Sequence, residues 1–361
     1  MKKRQPMPFL NEAQLSLFRK HILKWFAEYG RTLPWRGEKD PYRIWVSEVI
    51  LQQTQVVQGW DYYLRFIEKY PDVRALAHAE EAELLLLWQG LGYYSRAHNM
   101  LVAARQIEAN HQGHFPKTAK EVSALKGIGP YTTAAIMSIA YNEPLAVVDG
   151  NVYRIISRVE ASSVPIDTSE GQKIYRSLAN DYLDVHQPGA YNQAMMDLGA
   201  TICTPKNPRC DACPIASHCL SCGNMELIQS LPVKAKKVKV EPRYLDYFLL
   251  LSGESFWVEQ RDRKGIWKGL YQLPLLVSDQ KHAEPEEVSQ FLKGQWVVKE
   301  CIKLKPHRLS HRLLEIHIHV AYPSEMASPE LPSPYQQVAI SQHSEYAFPK
   351  PLRQFLDKVF G

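Results

Sequence analysis

Five cysteines between residues 203 and 222 could hold a metal centre. Cys203, Cys210, Cys213 and Cys219 have the spacing C-x6-C-x2-C-x5-C, and Cys222 adds a second C-x2-C pair. A disulfide framework is disfavoured in a chain of 361 residues without a secretory signal. A zinc site formed by the last four cysteines would have five residues between its two pairs, which is short for a zinc ribbon. Unequal spacing like that of the first four suits thiolates that wrap a cuboidal iron–sulfur cluster, so the pattern favours a cluster over zinc.

A Gly-Ile-Gly turn ahead of an apolar helical pattern could bind a phosphate. Gly127 and Gly129 allow the backbone to approach a ligand closely, and the first N–H groups of the next helix attract an anion. The spacing is not G-x-G-x-x-G and no strand pattern precedes it, which disfavours a dinucleotide-binding fold. The pattern is equally compatible with a corner between two helices, where the glycines only allow close packing.

Two carboxyl groups could work as a proton donor and an anionic partner. Glu48 lies in the mostly apolar helical segment WVSEVILQQT, where burial would raise its pKa and keep a proton available. Asp149 stands at the start of another helical segment, where the positive helix end favours the ionised form. The simpler interpretations are a surface glutamate and an ordinary N-cap, and the local pattern alone favours both.

The composition is that of an ordinary soluble globular protein. Its 361 residues, 45% hydrophobic and 22% charged, suit two domains or three. A net charge of +5 permits a nucleic-acid partner without requiring one. No apolar segment is long enough to span a membrane, and no apolar run follows the basic start of the chain, so a cytoplasmic protein is expected.

The elements that must position these residues are predicted to be helices. Apolar residues recur at helical spacing up to about residue 225, and the first helix is expected at residues 12–29 with Asn11 as its N-cap. Further helical segments are predicted at residues 43–70, 80–88, 94–110, 118–126, 131–141, 151–160, 169–184 and 188–202. The stretch from Leu231 to Arg243, rich in Lys and Pro, is typical of a linker.

The rest of the chain has the pattern of short strands, which predicts a small α+β unit of about 115 residues. The strand candidates are YLDYFLLLSG, ESFWVEQRD, IWKGLYQLPLLV, QWVVKECIKLK and LLEIHIHVAYP. Helices are predicted at residues 284–293 and 350–359. His317 and His319 alternate on one predicted strand, and surface positions are favoured over metal ligation for both.

Five segments of the first part carry a family resemblance. They are LPWRGEKDPYRIWVSEVILQQTQV, QGLGYYSRAHNM, LKGIGPYTTAAI, VDGNVYRIISR and NQAMMDLGATIC. With the cysteine loop they resemble the helix–hairpin–helix DNA glycosylases that carry a 4Fe–4S cluster, and more closely the adenine DNA glycosylases of the MutY type. The resemblance implies an all-α glycosylase domain at residues 1–228, a linker at 229–243 and a Nudix-like α+β domain at 244–361. It also implies that the cluster takes Cys203, Cys210, Cys213 and Cys219 and leaves Cys222 free.

The resemblance assigns roles to the two carboxyl groups. It implies that Glu48 protonates adenine at N7 and that Asp149 stabilises the oxocarbenium ion, with Tyr131 and Asn151 supporting them. Bifunctional members have a lysine at the position of Tyr131, whose amine forms a Schiff base with the sugar and cuts the strand. A phenol cannot form that imine, so a monofunctional enzyme that leaves the backbone intact is expected.

The same resemblance implies how double-stranded DNA is bound. The residues that line or support the adenine pocket would be Arg31, Trp35, Arg36 and Leu51. Residues inserted near the partner base, filling the gap left when adenine is flipped, would be Gln53, Thr54 and Tyr93. Gly127 and Gly129 would bind a phosphate. The lysines of the linker would either meet phosphates or only solvate a tether: Lys234, Lys236, Lys237 and Lys239.

The second domain would read the lesion opposite adenine. GIWKGLYQLPLL resembles the Nudix-like domain of the family, and the hydrolase signature G-x5-E-x7-R-E-x2-E-E-x-G is missing, so a Nudix hydrolase is rejected. The family's Phe-Ser-His loop corresponds to Leu309, Ser310 and His311, where Leu removes a stacking ring and weakens the expected lesion discrimination. The expected protein is a monomeric adenine glycosylase acting opposite 8-oxoguanine and, more weakly, guanine. A bifunctional lyase and a non-catalytic lesion binder are the alternatives.

Overall fold

The computed structural model describes residues 8–235, 240–261, 265–293, 295–309, 311–324 and 331–361. The chain divides into two compact units. The first comprises Met1–His78 and Met100–Lys237, and the second comprises Ala79–Asn99 and Val238–Gly361. The second unit thus takes a segment from the middle of the helical part, which the sequence-based boundary at residue 228 does not anticipate. The domain boundaries inferred from the sequence stay a prediction.

The first unit is built from helices, as predicted. They are α1 Glu12–Tyr29, α2 Pro41–Leu51, α3 Val56–Lys69, α4 Val73–Ala77, α6 Ser95–His111 (which begins in the second unit), α7 Ala119–Ala124, α8 Pro130–Tyr141, α9 Gly150–Val159, α10 Ser169–Tyr182, α11 Pro188–Thr201 and α12 Met225–Ser230. Asn11 caps α1 with a reciprocal capping box to Gln14, as the sequence predicts. No strand precedes residue 241 in the described part of the chain.

One predicted helix is wrong in its extent. Residues 43–70 form two helices, α2 and α3, because the backbone turns at Gln53 with a φ of +58°. A positive φ cannot continue a right-handed helix. The short helices α4 and α12 were not predicted, since each has fewer than two turns over which a period can be recognised.

The core of the first unit lies between α1, α9, α10 and α11. Phe18 of α1 meets Tyr182 of α10 edge to face, with ring centroids 4.9 Å apart. Ile155 of α9 and Leu198 of α11 are buried in the same cluster. Burial of this apolar surface fixes α9, and with it the residues at its start.

The second unit contains an eight-stranded mixed sheet, with α5 Glu81–Leu87 from the inserted segment. The strands are β1 Glu241–Ser252, β2 Ser255–Gln260, β3 Tyr271–Gln272, β4 Leu275–Ser278, β5 Trp296–Lys303, β6 His307–Arg308, β7 Arg312–Pro323 and β8 Tyr335–Ala339. Their order is β3-β2-β1-β7-β5, with β4 also on β1, β6 on β7 and β8 on β2. The β1–β7 pair is parallel, and the other pairs are antiparallel.

Helices cover both faces of this sheet. One face of β1 and β7, including Tyr247 and Ile318, packs with α14 (Lys350–Phe360). The other face, including Phe248 and Leu250, packs with α13 (Pro285–Leu292). Two-sided burial explains why β1 reads as a nearly continuous apolar run.

Several sequence predictions for this unit need correction. The strand predicted at residues 266–277 is two short strands, β3 and β4, while β6 and β8 were missed. β1 begins at Glu241, within the stretch that the sequence predicts as a linker. The surface assignment is wrong for His319, which is only 8% exposed, because it lies on the face covered by α13.

No described helix of either unit is both long and apolar enough to cross a membrane.

Candidate active site

Glu48 is buried in the first unit. Asp40 caps α2 and Pro41 starts it, and every residue from Ile44 to Ile50 is buried, leaving Glu48 only 6% exposed. The hydroxyl of Tyr131 donates a 2.5 Å hydrogen bond to Glu48 Oε2. Burial raises the pKa of Glu48, and the charge of Asp149 raises it further, against smaller opposing effects of Tyr131 and Arg36. The surface interpretation of Glu48 is therefore wrong, and its carboxyl group is suited to retain a proton.

Tyr131 lies at the start of α8, where it faces both carboxyl groups. Burial and the charges of Glu48 and Asp149 raise its pKa well above the ordinary tyrosine value. The phenol therefore stays protonated and remains a donor to Glu48. The second contact of its hydroxyl is Met196 Sδ at 3.5 Å.

Asp149 is the N-cap of α9. One of its oxygens accepts the Val152 backbone N–H at 2.8 Å, and the other accepts Asn151 Nδ2 at 2.8 Å. Arg154 in turn donates to Asn151 Oδ1 at 2.8 Å, which orients the amide. Burial raises the pKa of Asp149, although these donors and Arg154 act in the opposite direction. The hydrogen-bond donors at the start of α9 lower the pKa of Asp149, as predicted, but burial raises it by more.

A buried carboxylate that the sequence analysis missed organises one wall of the site. Asp197 of α11 is fully buried and accepts Arg31 Nη2 at 2.6 Å and Arg36 Nη2 at 2.6 Å. It also accepts the Arg31 backbone N–H at 2.9 Å. Its signal in the sequence is an acidic residue inside the apolar helical run MMDLG, whose burial requires cationic partners. The structure brings Arg36 within electrostatic reach of Glu48 as well.

The other two predicted pocket residues are placed by packing. Trp35 is 7% exposed and meets the Tyr63 ring of α3 edge to face at 5.4 Å. Leu51 ends α2 and is half-buried. Trp35 therefore packs on α3, and Leu51 lies at the end of the helix that carries Glu48.

The predicted DNA-contacting residues of the first unit lie in two turns. Gln53 is exposed and Thr54 is half-buried in the turn between α2 and α3, which Gln52 ties to Thr132 of α8 at 3.3 Å. Gly127 has a φ of +78°, which favours glycine. Gly129 is the N-cap of α8, and no atom lies within 4 Å of the place where its Cβ would be. The backbone at the start of α8 is therefore open to close approach.

The two neighbouring tyrosines of the second unit differ in their exposure to solvent. Tyr93 is 49% exposed with a φ of +48°, whereas Tyr94 is 5% exposed. Arg96 lies over the Tyr93 ring, with its guanidinium carbon 5.9 Å from the centroid. Leu309 and His311 flank the turn between β6 and β7 and line one cleft together with Tyr93. Ser310 lies outside the described residues.

The cleft is strongly basic. Its cationic lining residues within the second unit are Arg243, Arg261, Arg308, Arg312, Lys268 and Lys350. This charge and the exposed Tyr93 ring suit a phosphate backbone with an unstacked base.

The four predicted cluster ligands line a single cavity. Cys203, Cys210, Cys213 and Cys219 line it together with Cys222. Burial raises the pKa of Cys213 to about 12 and that of Cys219 to about 11, and the neighbouring thiols add to the effect. Thiolates held so close in a buried site require bound cations to neutralise them, which is the chemistry of an iron–sulfur cluster.

Arg158 joins this cavity to α9. Its side chain is buried and donates to Cys203 Sγ at 3.3 Å, to the Thr204 carbonyl at 2.8 Å and to the Pro205 carbonyl at 2.9 Å. A hydrogen bond to a ligating sulfur tunes and orients the ligand. The cysteine loop is therefore anchored to the helix that Asp149 caps.

Family models match three parts of the chain. Residues 46–178 match the HhH-GPD superfamily of base excision DNA repair proteins, and residues 246–358 match the NUDIX domain. Residues 203–219 match the iron–sulfur binding domain of endonuclease III. The predicted 4Fe–4S cluster and the predicted fold class, a helical glycosylase domain followed by a Nudix-like domain, are confirmed. The matched loop includes the four predicted ligands and excludes Cys222.

Curated proteins and solved structures agree with this. An adenine DNA glycosylase of Buchnera aphidicola (strain Bp) is 34% identical over 83% of this chain and 85% of its own length. A second, from strain APS, is 31% identical over 94% of this chain and 97% of its own. The human adenine DNA glycosylase is 41% identical over 62% of this chain, which covers 42% of that protein.

The helical part also resembles known structures. A thermostable thymine-DNA glycosylase superimposes with a TM-score of 0.54 and 28% identity, over 58% of this chain and 96% of its own. An endonuclease III trapped on DNA has a TM-score of 0.50 and 21% identity, over 59% and 97%, and supports the fold alone. Identity above 30% over most of both chains decides the family. This chain belongs to the adenine DNA glycosylases of the MutY type, a family of base excision repair enzymes.

Proposed function

We propose that this protein is a monofunctional glycosylase that removes adenine paired with 8-oxoguanine and, more weakly, with guanine. The observation that carries the proposal is the pair of carboxyl groups in the first unit. Glu48 is buried with a raised pKa and a single phenol donor, and Asp149 lies close enough to raise that pKa further. One group is suited to hold a proton and the other to face a cation.

The proposed reaction breaks the N-glycosidic bond of a flipped adenine. Glu48 gives its proton to N7, and the bonding electron pair leaves with the base as the C1′–N9 bond breaks. The ionised Asp149 stabilises the oxocarbenium ion, because the developing positive charge favours its anionic form. Water then adds its hydroxide to C1′ and releases its proton, so that the products are adenine and an abasic site.

Tyr131 is the basis for proposing base removal without strand cutting. Its hydroxyl is directed at Glu48, and a phenol cannot form a Schiff base with the sugar. The position where a lyase would hold an amine is used here to orient the acid.

The proposed adenine pocket and DNA contacts follow from the remaining residues. Arg31 and Arg36, fixed by Asp197, would line the adenine pocket with Trp35 and Leu51. The open backbone at Gly127 and Gly129 would hold a phosphate at the start of α8. Gln53, Thr54 and Tyr93 would fill the space left by the flipped base, and Leu309, Ser310 and His311 would contact the lesion.

The proposed working form is a monomer on double-stranded DNA in the cytoplasm, at the nucleoid. Lys234 of the linker is exposed and available to a phosphate, while Lys236, Lys237 and Lys239 lie outside the described residues. The 4Fe–4S cluster would hold the loop from Cys203 to Cys219 in place. Arg158, which donates to Cys203 Sγ, would anchor that loop to α9.

One assay tests the proposal against both alternatives. A duplex with adenine opposite 8-oxoguanine is incubated with the cluster-containing protein, and the strands are analysed with and without hot alkali. The proposal expects cleavage only after alkali. Cleavage without alkali would establish the lyase, and uncut strands under both conditions would establish a binder without catalysis. A parallel duplex with guanine opposite adenine should react more slowly, and equal rates would contradict the proposed lesion preference.

A further inference from the structure

A cluster of histidines surrounds one buried aspartate in the second unit. Asp246 of β1 is 2% exposed and lies opposite His317 in the parallel pairing of β1 with β7. His282 approaches it from the segment before α13, with Nδ1 3.1 Å from the carboxylate. One carboxylate oxygen and one ring nitrogen of each histidine all lie within 4.8 Å of one another. None of these residues takes part in the proposed glycosylase chemistry.

We propose that Asp246, His282 and His317 bind a divalent transition-metal ion of the zinc type. Two imidazole nitrogens and one carboxylate oxygen are a donor set that Zn²⁺ takes readily, with water as a fourth ligand. The absence of further carboxylates from this group of three argues against Ca²⁺ and Mg²⁺, which prefer oxygen ligands.

The Asp246 carboxylate already has hydrogen bonds of the kind that orient a carboxylate bound to a metal ion. His319 Nε2 lies 3.0 Å from Asp246 Oδ1, and the Ala283 backbone N–H donates to Oδ2 at 3.0 Å. The His319 ring is stacked on Phe248, with centroids 5.0 Å apart. Such contacts orient a ligating carboxylate and limit the rearrangement that metal binding requires.

The two candidate histidines contact each other and are reachable from solvent. Their rings stack with centroids 3.4 Å apart and 6° between planes, a contact that two imidazolium cations would oppose. Burial and His282 lower the pKa of His317, which favours the neutral form that binds metals. Each side chain is about one-fifth exposed, so an ion has a path to the site.

One movement completes the site. His282 Nδ1 lies 3.1 Å from Asp246 Oδ2 and His317 Nδ1 lies 3.7 Å from Oδ1, so His282 must move off the carboxylate for an ion to enter between the three groups. His282 lies in a segment, residues 281 to 284, that is neither helix nor strand, and its ring meets Tyr244 edge to face with centroids 5.0 Å apart. A bound ion would then join β1, β7 and the segment that leads into α13.

The test uses the full-length, cluster-containing protein with Zn²⁺ alone as the probe. The exposed thiols Cys222 and Cys301 are replaced by serine in all variants, since free thiols bind zinc themselves. Isothermal titration calorimetry after dialysis against a chelator should give one zinc ion per chain. His317→Gln and His282→Gln should each weaken zinc binding by at least about 100-fold, because each removes a ligand.

The matched control is His343→Gln. His343 also contacts an aspartate, Asp357 at 3.3 Å, but has no third metal ligand in the described part of the chain. Its replacement should leave zinc affinity unchanged. Absence of zinc binding, or a zinc affinity in the His282→Gln and His317→Gln variants equal to that of the parent protein, would overturn the proposal. Base excision does not enter the measurement, so its outcome is independent of the proposed function.

Discussion

Glu48 and Asp246 are both buried carboxyl groups, 6% and 2% exposed, yet the protein shifts their pKa values in opposite directions. At Glu48 burial dominates over the single donor, Tyr131, and the pKa rises. At Asp246 burial also acts to raise the pKa. Donors from His319, the Ala283 backbone and His282 together outweigh it, and the pKa falls. Burial alone thus favours an acid, and burial with several donors favours an anion.

The difference suits two kinds of chemistry. A carboxyl group that keeps its proton can protonate a leaving base, and a carboxylate that stays ionised can bind a cation. Replacements of Glu48, of Asp246 and of the donor Tyr131 test this difference.

Glu48→Gln should abolish excision. An amide has no acidic proton to give, so the single-turnover rate on adenine opposite 8-oxoguanine should fall by about 1,000-fold or more. Duplex affinity should be unchanged, which a gel-shift titration checks. The exposed Glu68→Gln on α3 is the control and should be fully active. Weakened binding with normal excision at saturation would refute the acid assignment.

Asp246→Asn should destabilise the second unit. The amide cannot accept all the donors that the carboxylate accepts, so the free energy of unfolding at pH 7 should fall by about 1–3 kcal/mol. Urea denaturation in the presence of a chelator measures this. Because the folded pKa is lowered, the contribution is present above the unfolded value and is lost as the pH falls below 3.8.

The control for that experiment is Asp279→Asn. Asp279 directly follows β4, the strand that pairs with β1, and its side chain is 76% exposed. Its replacement should leave the unfolding curve unchanged. An equal loss of stability in both variants would mean that the buried hydrogen bonds of Asp246 contribute nothing specific.

Tyr131→Phe should change the pH profile of excision more than its maximum. The phenol donates to Glu48 and lowers its pKa, so its removal raises that pKa further. The rate should fall about tenfold at its maximum, and the alkaline limb should move to higher pH. Single-turnover rates across pH give both values. Tyr141→Phe, on the same helix, is the control. If the alkaline limb of the pH profile stays at the wild-type pH in Tyr131→Phe, the phenol does not influence the pKa of Glu48.

Glu48→Gln should also stabilise the folded protein above the ordinary glutamate pKa of 4.5. A group whose folded pKa is raised stabilises the fold below its unfolded value, and this contribution is lost as the pH rises. The amide removes that dependence, so the variant should gain on the order of 1 kcal/mol over wild type at pH 8. Thermal unfolding at pH 5 and pH 8 checks it. If the stability difference between the variant and wild type is the same at pH 5 and pH 8, the raised pKa of Glu48 is contradicted.

Much of the fold was predictable because its signals are local. Asn11 caps the first helix through a capping box within four residues, and the apolar period identifies most of α6 to α11. The break after α2 was missed because it depends on a positive φ at Gln53, a residue type that usually continues a helix. The missed strand β6 has only two residues, too few for an alternating pattern.

Most residues of the candidate site could be named from the sequence, but the contacts between them could not. Asp197 was missed because its importance arises only when Arg31 and Arg36 converge on it from 161 or more residues away in sequence. His319 was assigned to the surface because a strand alone does not show that α13 covers one of its faces.

The sequence by itself determined the family, the cluster loop and the presence of a phenol where a lyase has an amine, since spacing and residue type are properties of the covalent chain. Only the tertiary structure decided the pKa directions of Glu48, Asp149 and Asp246. The shift at a carboxyl group depends on burial and on donors that folding brings to it. Tyr131 is 83 residues from Glu48, and His319 is 73 residues from Asp246.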